Sequence, residues 1–271
     1  MDNNARLSST RPQRGRFAVV GIVALAVVMT ACTAGSTPHG EFARDKQILA
    51  SCDRSAPPAS DIQIDGTGSS NSPAITEERM AAVEQIVRTT AICSGRVRMS
   101  VFSGSSAATA TLFDGALPLH SATDNARLKR VQTVVDDAMV RIRDAYEPAV
   151  AGLKGKGSDI TAQYRLAGEW ANQVGGDFRL HLYLFTDGFQ NVGVKLGQQA
   201  VSKQEAAELA SKTNVPKLPG ASVTVAGLGR VAGEPPRSDV VEGLVVYYDA
   251  LCDKAGAAKC VSVTDYAPEG R

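Results

Sequence analysis

Residues 180–191 read LHLYLFTDGFQN and have the pattern of a strand that ends in a turn. A mostly apolar run leads directly into Thr186-Asp187-Gly188, as it does where a buried strand ends in a turn. The turn alone accounts for the Asp-Gly pair, because glycine adopts positive φ without steric cost. Whether Asp187 has a second role depends on the rest of the chain.

Segments typical of strands and helices alternate on both sides of this stretch. Alternating or continuous apolar residues predict strands at 61–64, 96–103, 108–115, 178–186, 221–229 and 260–266. Apolar residues at helical spacing predict helices at 75–92, 124–153, 160–174, 202–213 and 238–256, with Thr76 capping the first. This alternation predicts an α/β fold with a single doubly wound, mostly parallel sheet and helices on both faces.

The N-terminus has the pattern of an export signal. Scattered arginines precede the apolar run FAVVGIVALAVVMTAC at 17–32, which is short for a membrane span. Its end, MTAC, resembles the lipobox of bacterial lipoproteins. That resemblance implies a signal peptide at 1–31, lipidation of Cys32, and a membrane-anchored protein on the extracytoplasmic face. The alternative is an ordinary cleaved signal followed by a chance cysteine.

Residues 32–60 are rich in Ser, Pro, Gly and Ala, which predicts a lipid-anchored, flexible tether ahead of a folded domain at 61–271. Four cysteines follow Cys32, and an even number in an oxidising compartment favours two disulfides. Three pairings are possible. Proximity along the chain favours Cys52–Cys93 and Cys252–Cys260, with four free thiols as the alternative.

Composition excludes some classes of ligand. The chain has no CxxC motif and its three histidines are scattered, so a zinc site is not expected. The net charge of +1 gives no bulk electrostatic reason to expect a nucleic acid as partner.

Polar side chains also follow the first predicted strand. Asp65, Thr67 and Ser69 alternate with glycines, so that a carboxylate and two hydroxyls can converge from one side of the loop. Ser158 follows a glycine-rich turn, and Asp187 ends the strand quoted above. Ligands of doubly wound sheets bind at the carboxyl ends of the strands, where the strand order reverses. These oxygens together suit a hard cation such as Mg²⁺, which takes one or two carboxylates and keeps open positions.

Each of these residues also has a simpler explanation. Asp65 can form a local turn with Thr67 or Ser69, and Ser158 can cap the helix that begins near Asp159. The order and spacing of the three loops therefore carry more information than any single residue.

The motifs Asp65-x-Thr67-x-Ser69, Gly157-Ser158-Asp159-Ile160 and Thr186-Asp187-Gly188 resemble, in this order, the three loops of a von Willebrand factor A (vWA) domain. The resemblance spans about residues 60–266. It implies a metal-ion-dependent adhesion site and binding to a protein or another cell-envelope macromolecule, without catalysis. The implied cofactor is Mg²⁺, or Mn²⁺ or Ca²⁺, and the implied ligands are Asp65, Thr67, Ser69, Ser158 and Asp187. Thr67 stands where the family usually has Ser, and Ser158 where it usually has Thr, so both hydroxyls are kept.

The sequence leaves three alternatives to metal-dependent binding. Residues 62–67, IQIDGT, resemble the haloacid-dehalogenase phosphatase loop, but Gln63 stands where that chemistry needs a nucleophilic carboxylate. A solute-binding lipoprotein usually has two α/β lobes, whereas one sheet is visible here. A vWA-like scaffold without a functional metal site is the third. The expected function remains binding of a macromolecule, and no enzymatic activity is expected.

Overall fold

The computed structural model describes residues 38–70, 72–105, 109–154, 157–197 and 199–266. The predicted signal peptide at 1–31 and the lipidation site Cys32 lie outside these residues. Within the described ranges, no helix has the length and apolar character that a bilayer crossing requires.

Strands and helices alternate through most of the described chain. The strands are β1 (Pro58–Asp65), β2 (Arg96–Phe102), β3 (Ala110–Ala116), β4 (Arg179–Phe185), β5 (Ser222–Ala226) and β6 (Lys259–Val263). The α-helices are α1 (Pro38–Ser51), α2 (Pro73–Ile92), α3 (Asp124–Leu128), α4 (Val131–Gly152), α5 (Ile160–Val174), α6 (Lys203–Lys212) and α7 (Ser238–Ala255). A single turn of 3-10 helix at Gly68–Ser70 follows β1.

The strands form one mixed sheet in the order β3-β2-β1-β4-β5-β6. Only the β2–β3 pair is antiparallel, and the other neighbours are parallel. The chain builds one half of the sheet outward from β1, then returns to β4 and builds the other half. The strand order therefore reverses between β1 and β4, where doubly wound sheets bind their ligands. This vWA/Rossmann-like arrangement confirms the predicted α/β fold class.

Helices cover both faces of the sheet, because β1 and β4 together present apolar side chains to both faces. Ile62 and Ile64 of β1 share one core with side chains of α2 and α4. Leu182 and Leu184 of β4 share the other core with side chains of α5, α6 and α7. Both cores end below the loops that follow β1 and β4, and these loops therefore rest on a rigid base.

The polar residues of β1 belong to a buried ion pair. Arg98 donates to Asp61 through Nε at 2.8 Å and through Nη2 at 2.7 Å, and its guanidinium lies 4.8 Å from the Trp170 ring centroid. Gln63 Nε2 donates to the same carboxylate at 2.6 Å. Burial raises the pKa of Asp61, and Arg98 opposes this rise. Gln63 thus has a structural role in the sheet, which explains why β1 is less apolar than a central strand usually is.

The N-terminal part of the described chain differs from the sequence-based expectation. A flexible tether was predicted over 32–60, but Pro38–Ser51 forms helix α1 and β1 begins at Pro58. Asp45 of α1 is buried and accepts two hydrogen bonds from Arg88 of α2, each 2.8 Å long. The tether prediction is therefore wrong for residues 38–60, because a short apolar and charged face of α1 packs on α2.

Both predicted disulfides, Cys52–Cys93 and Cys252–Cys260, are confirmed. The first joins the ends of α1 and α2, and the second joins α7 to β6. Each bridge therefore fastens a peripheral element to its neighbour.

Two helix boundaries also differ from the prediction. Ser72, not Thr76, caps α2, since its hydroxyl accepts a hydrogen bond from the Ile75 amide. The helix predicted over 124–153 is divided into α3 and α4. A tight turn separates them, in which the Arg130 amide bonds to the Arg127 carbonyl three residues earlier.

Candidate metal centre

Asp65 ends β1 and is the centre of the polar cluster. Its Oδ1 atom accepts hydrogen bonds from the amide and the hydroxyl of Thr67, at 3.0 and 2.7 Å. Its Oδ2 atom accepts from the Ser158 hydroxyl at 2.9 Å and from the Thr186 hydroxyl at 2.8 Å. The carboxylate is fully buried, so one acidic group joins all three loops that the sequence singled out. The local turn at Asp65 exists as well, formed by the Thr67 amide.

The hydroxyls of Thr67 and Ser158 face each other at 3.2 Å. Each hydroxyl has one proton and two lone pairs. When both protons are donated to Asp65, no proton lies between the two oxygens, and their lone pairs point into a shared space. A cation stabilises such an arrangement.

Ser158 does not cap α5, although that was the simpler explanation for it. The cap is Asp159, whose carboxylate accepts a hydrogen bond from the Ala162 amide at 3.1 Å. The Ser158 amide donates to the Asn191 side chain at 3.1 Å, which leaves its hydroxyl directed at Asp65. Gly157 precedes it with φ of +112°, and a Cβ atom there would overlap the Asn191 side chain. Only glycine fits this position, and it sets the direction of Ser158.

Asp187 follows β4 and is fully buried. Its Oδ1 atom accepts a hydrogen bond from the Phe189 amide at 3.0 Å. Its Oδ2 atom has no hydrogen-bond partner among the described residues. Burial, followed by the nearby charge of Asp65, raises the pKa of Asp187 to about 6.

An orphaned, buried carboxylate oxygen is unfavourable, because it has lost water without gaining another partner. A bound cation would satisfy it. The residues therefore fit a hard cation: two carboxylates from β1 and β4, and hydroxyls from the loops around them. Within the described ranges, no group of three or more His, Cys, Asp or Glu side chains could hold a metal, so a site of the zinc type has no support there.

Arg79 was missed by the sequence analysis and lies directly beneath the cluster. The side chain is fully buried, with Nη1 donating to the Asp65 carbonyl at 3.0 Å and Nη2 donating to the Ser70 hydroxyl at 2.6 Å. The Ser70 hydroxyl in turn accepts from the Asp187 amide at 3.2 Å. Arg79 thus joins the ends of β1 and β4, and its charge lowers the pKa of Asp187. The only signal in the sequence was a basic residue at helical spacing with the buried Val83 and Ile86.

Thr186 was also missed as a site residue. Its hydroxyl donates to Asp65 and accepts a hydrogen bond from the Gly188 amide at 3.1 Å. Gly188 has φ of +84°, and this conformation turns the chain away directly after Asp187. The Thr-Asp-Gly motif therefore contributes a hydroxyl, a carboxylate and a turn, of which the sequence analysis assigned the last two.

A cavity of about 650 Å³ opens beside the cluster. Thr67, Ser69 and Ser158 line it on the polar side, and Phe189 and Leu196 line it on the apolar side. The cluster is therefore accessible from this cavity, although both carboxylates are buried.

Comparisons with known proteins show limited similarity. No protein-family model matches the chain, and no curated protein matches it. Among solved structures, the conserved hypothetical protein BatB from Bacteroides thetaiotaomicron is 15% identical with a TM-score of 0.41, and the match covers 77% of this chain and 90% of that one. Proximal thread matrix protein 1 from the mussel byssus is 16% identical with a TM-score of 0.43, covering 80% and 45%.

The pilus adhesin SpaC from Lactobacillus rhamnosus GG is 12% identical with a TM-score of 0.39, covering 79% of this chain and 29% of that one. The chain thus spans most of BatB and less than half of the other two proteins. At these identities and TM-scores, the matches identify neither a ligand nor a partner.

Proposed function

We propose that this protein is a binding module that holds a divalent cation, Mg²⁺ or Mn²⁺, at the carboxyl edge of its sheet. Asp65, Thr67, Ser69, Ser158 and Asp187 would hold the ion, with Thr186 and Arg79 positioning them. The ion would supply a positive centre for an acidic oxygen of a macromolecular partner. The single observation that carries the proposal is the orphaned Oδ2 atom of Asp187, buried beside an Asp65 carboxylate that already has four hydrogen-bond donors.

The residues around the ion site have separable roles in this proposal. Asp65 accepts hydrogen bonds from the Thr67 and Ser158 hydroxyls, and this directs the lone pairs of both hydroxyls away from the carboxylate. Asp187 provides negative charge from the neighbouring strand. The cavity beside the cluster gives a partner's acidic group access from the surface.

Binding is favoured over catalysis by the environment of Asp65. A phosphatase of the type considered above needs a carboxylate two residues before Asp65, and this place is taken by Gln63. That side chain is fully buried and bonded to Asp61, so it has no access to a substrate.

The proposal includes display of the module on the extracytoplasmic face of the cell membrane. Two disulfides in the described domain support an oxidising compartment. Cys32 would carry the lipid. Replacing it by Ser should release the protein from the membrane fraction, and retention there would contradict the anchor.

The metal site is tested by titrating Mg²⁺ and Mn²⁺ into the chelator-treated protein while its melting temperature is recorded. An ion at about one hundred times its Kd stabilises the folded state by about 2.7 kcal/mol. This corresponds to a rise of about 5–10 °C in a domain of this size. EDTA should reverse the rise.

The variants Asp65→Asn and Asp187→Asn should each abolish this response. Asp137→Asn, the same change on the exposed face of α4, should keep it. An intact protein that does not respond to either ion, and binds neither in a calorimeter, would leave a metal-free scaffold as the better description.

A further inference from the structure

A second cavity lies at the opposite edge of the sheet, where β4, β5 and β6 begin. Its volume is about 440 Å³, within the range of small-molecule sites. Its lining includes three basic side chains, Arg179, His181 and Lys259, and the hydroxyl-bearing Ser222 and Thr224. None of these residues belongs to the proposed metal centre.

The strand register brings the basic groups together. His181 of β4 pairs with Ser222 of β5, and Ser222 pairs with Lys259 of β6, so the three form one row across adjacent strands. Neighbouring strands are about 4.8 Å apart, which places the row within the width of one small ligand. Arg179 lies two residues before His181 and therefore on the same face of β4.

The positive charge of this cavity is only partly balanced. No Asp or Glu lines it among the described residues. Arg179 pairs with Asp53 at 2.9 Å, but both side chains are partly exposed and Asp53 is not part of the lining. Burial, followed by the charges of Arg179 and Lys259, lowers the pKa of His181 to about 4, so the imidazole is neutral at neutral pH. The positive charge of the cavity therefore comes from Arg179 and Lys259, and these two side chains would attract an anion.

We propose that this cavity binds a phosphate group, either free or as part of a small ester or lipid headgroup. Arg179 can hold two phosphate oxygens with its planar fork, and Lys259 contributes a point charge from the other side. The Ser222 and Thr224 hydroxyls, which line the same cavity, can donate further hydrogen bonds to the phosphate oxygens. The volume leaves room for a short organic group on the phosphate.

This site is independent of the proposed metal centre, since the two lie at opposite edges of the sheet. It is tested by calorimetric titration of inorganic phosphate into the full chain in a phosphate-free, chelator-containing buffer. We expect saturable binding that weakens about tenfold in Lys259→Gln and in Arg179→Gln, because each change removes one charged hydrogen-bond donor.

Two further variants distinguish phosphate binding in the cavity from non-specific electrostatic attraction. Lys129→Gln removes the same charge at an exposed position beyond α3, outside the cavity, and should bind phosphate like the intact chain. Asp53→Asn releases Arg179 from its partner and should bind phosphate more tightly. Equal weakening in Lys259→Gln and Lys129→Gln would overturn the proposal, because it would show attraction without a site.

The source of the phosphate is resolved by a second arm with vesicles. Binding to phosphatidylglycerol vesicles, but not to phosphatidylcholine vesicles, that falls in Lys259→Gln assigns the site to a headgroup. The N-terminal segment is the same in both chains, so this difference reports the cavity alone. As an independent readout, phosphate should raise the pKa of His181 in an NMR titration. The proposal fails if phosphate leaves that pKa unchanged and the intact and Lys259→Gln chains bind vesicles equally.

Discussion

Replacing Asp187 by Asn should stabilise the metal-free protein while abolishing its response to metal. The carboxylate is fully buried, one of its oxygens has no partner among the described residues, and its pKa is raised from 3.8 to about 6. The raised pKa means that the folded state disfavours the charged form, so stability falls as the pH rises from about 4 to about 6. Above pH 6 the full cost of the charge is present.

The magnitude follows from the size of the shift. Each pKa unit corresponds to 1.36 kcal/mol, and a shift of about two units therefore costs about 3 kcal/mol at pH 7.5. Asparagine removes the charge but leaves an amide group in the place of the orphaned oxygen, which offsets part of the gain. We expect a net stabilisation of about 1–3 kcal/mol, which raises the melting temperature by several degrees.

The assay is urea unfolding of both chains in EDTA at pH 7.5 and again at pH 4.5. The stability difference should be large at pH 7.5 and small at pH 4.5, where Asp187 is protonated in the intact protein. Mg²⁺ at about one hundred times its Kd should stabilise the intact chain alone, by about 2.7 kcal/mol, and so remove most or all of the advantage of the variant. If Asp187→Asn is destabilising in EDTA at pH 7.5, the carboxylate has a compensating partner and the reasoning about the orphaned oxygen is refuted.

Three further predictions concern residues around the site and at the far edge of the sheet. The pKa of His181 is lowered from 6.5 to about 4 in the folded protein. As the pH falls, His181 is therefore protonated in the unfolded chain at a higher pH than in the folded one. The protein should therefore lose up to about 3 kcal/mol between pH 6.5 and 4 in phosphate-free buffer, and His181→Asn should lack this part of the loss in urea titrations. Arg79→Lys keeps the charge but not the fork that reaches both Asp65 and Ser70, so it should cost about 1.5–3 kcal/mol and weaken Mg²⁺ binding in a calorimeter. Replacing Cys52 and Cys93 by Ser should cost about 4 kcal/mol and replacing Cys252 and Cys260 about 2.5 kcal/mol, since the loops they close span 41 and 8 residues. Equal losses in denaturant titrations would show that loop closure does not govern their effect.

Local sequence patterns were sufficient to predict the fold class. The helix predicted at 160–174 has the boundaries of α5, because its apolar spacing and the following glycines define both ends. Helix α1 was missed, because Pro38, Gly40 and a low apolar content resemble a linker and only packing against α2 makes it a helix. Its key contact, between Asp45 and Arg88, joins residues 43 positions apart in sequence.

The candidate site shows the same division between local and distant information. Asp65, Thr67 and Asp187 could be selected because each stands in a short motif at the end of a predicted strand, and Ser158 because it follows a glycine-rich turn. Arg79 could not, since its role depends on a helix that places one buried side chain beneath two strand ends. Asp61 and Gln63 were likewise unexplained until Arg98, a residue on the neighbouring strand, was seen to bond to Asp61.

The net charge of the cluster favours a divalent cation over a monovalent one, and an acidic group on the partner that the ion would bind. Asp65, Asp187 and Arg79 are all buried, and above pH 6 their charges sum to one uncompensated negative charge. A monovalent cation would neutralise this charge and attract nothing further. A divalent cation leaves one positive charge at the edge of an open cavity, and an acidic group on a partner would complete the neutralisation. Arg79 therefore sets the balance: without it, the ion alone would neutralise the site and the attraction for an acidic partner would be lost.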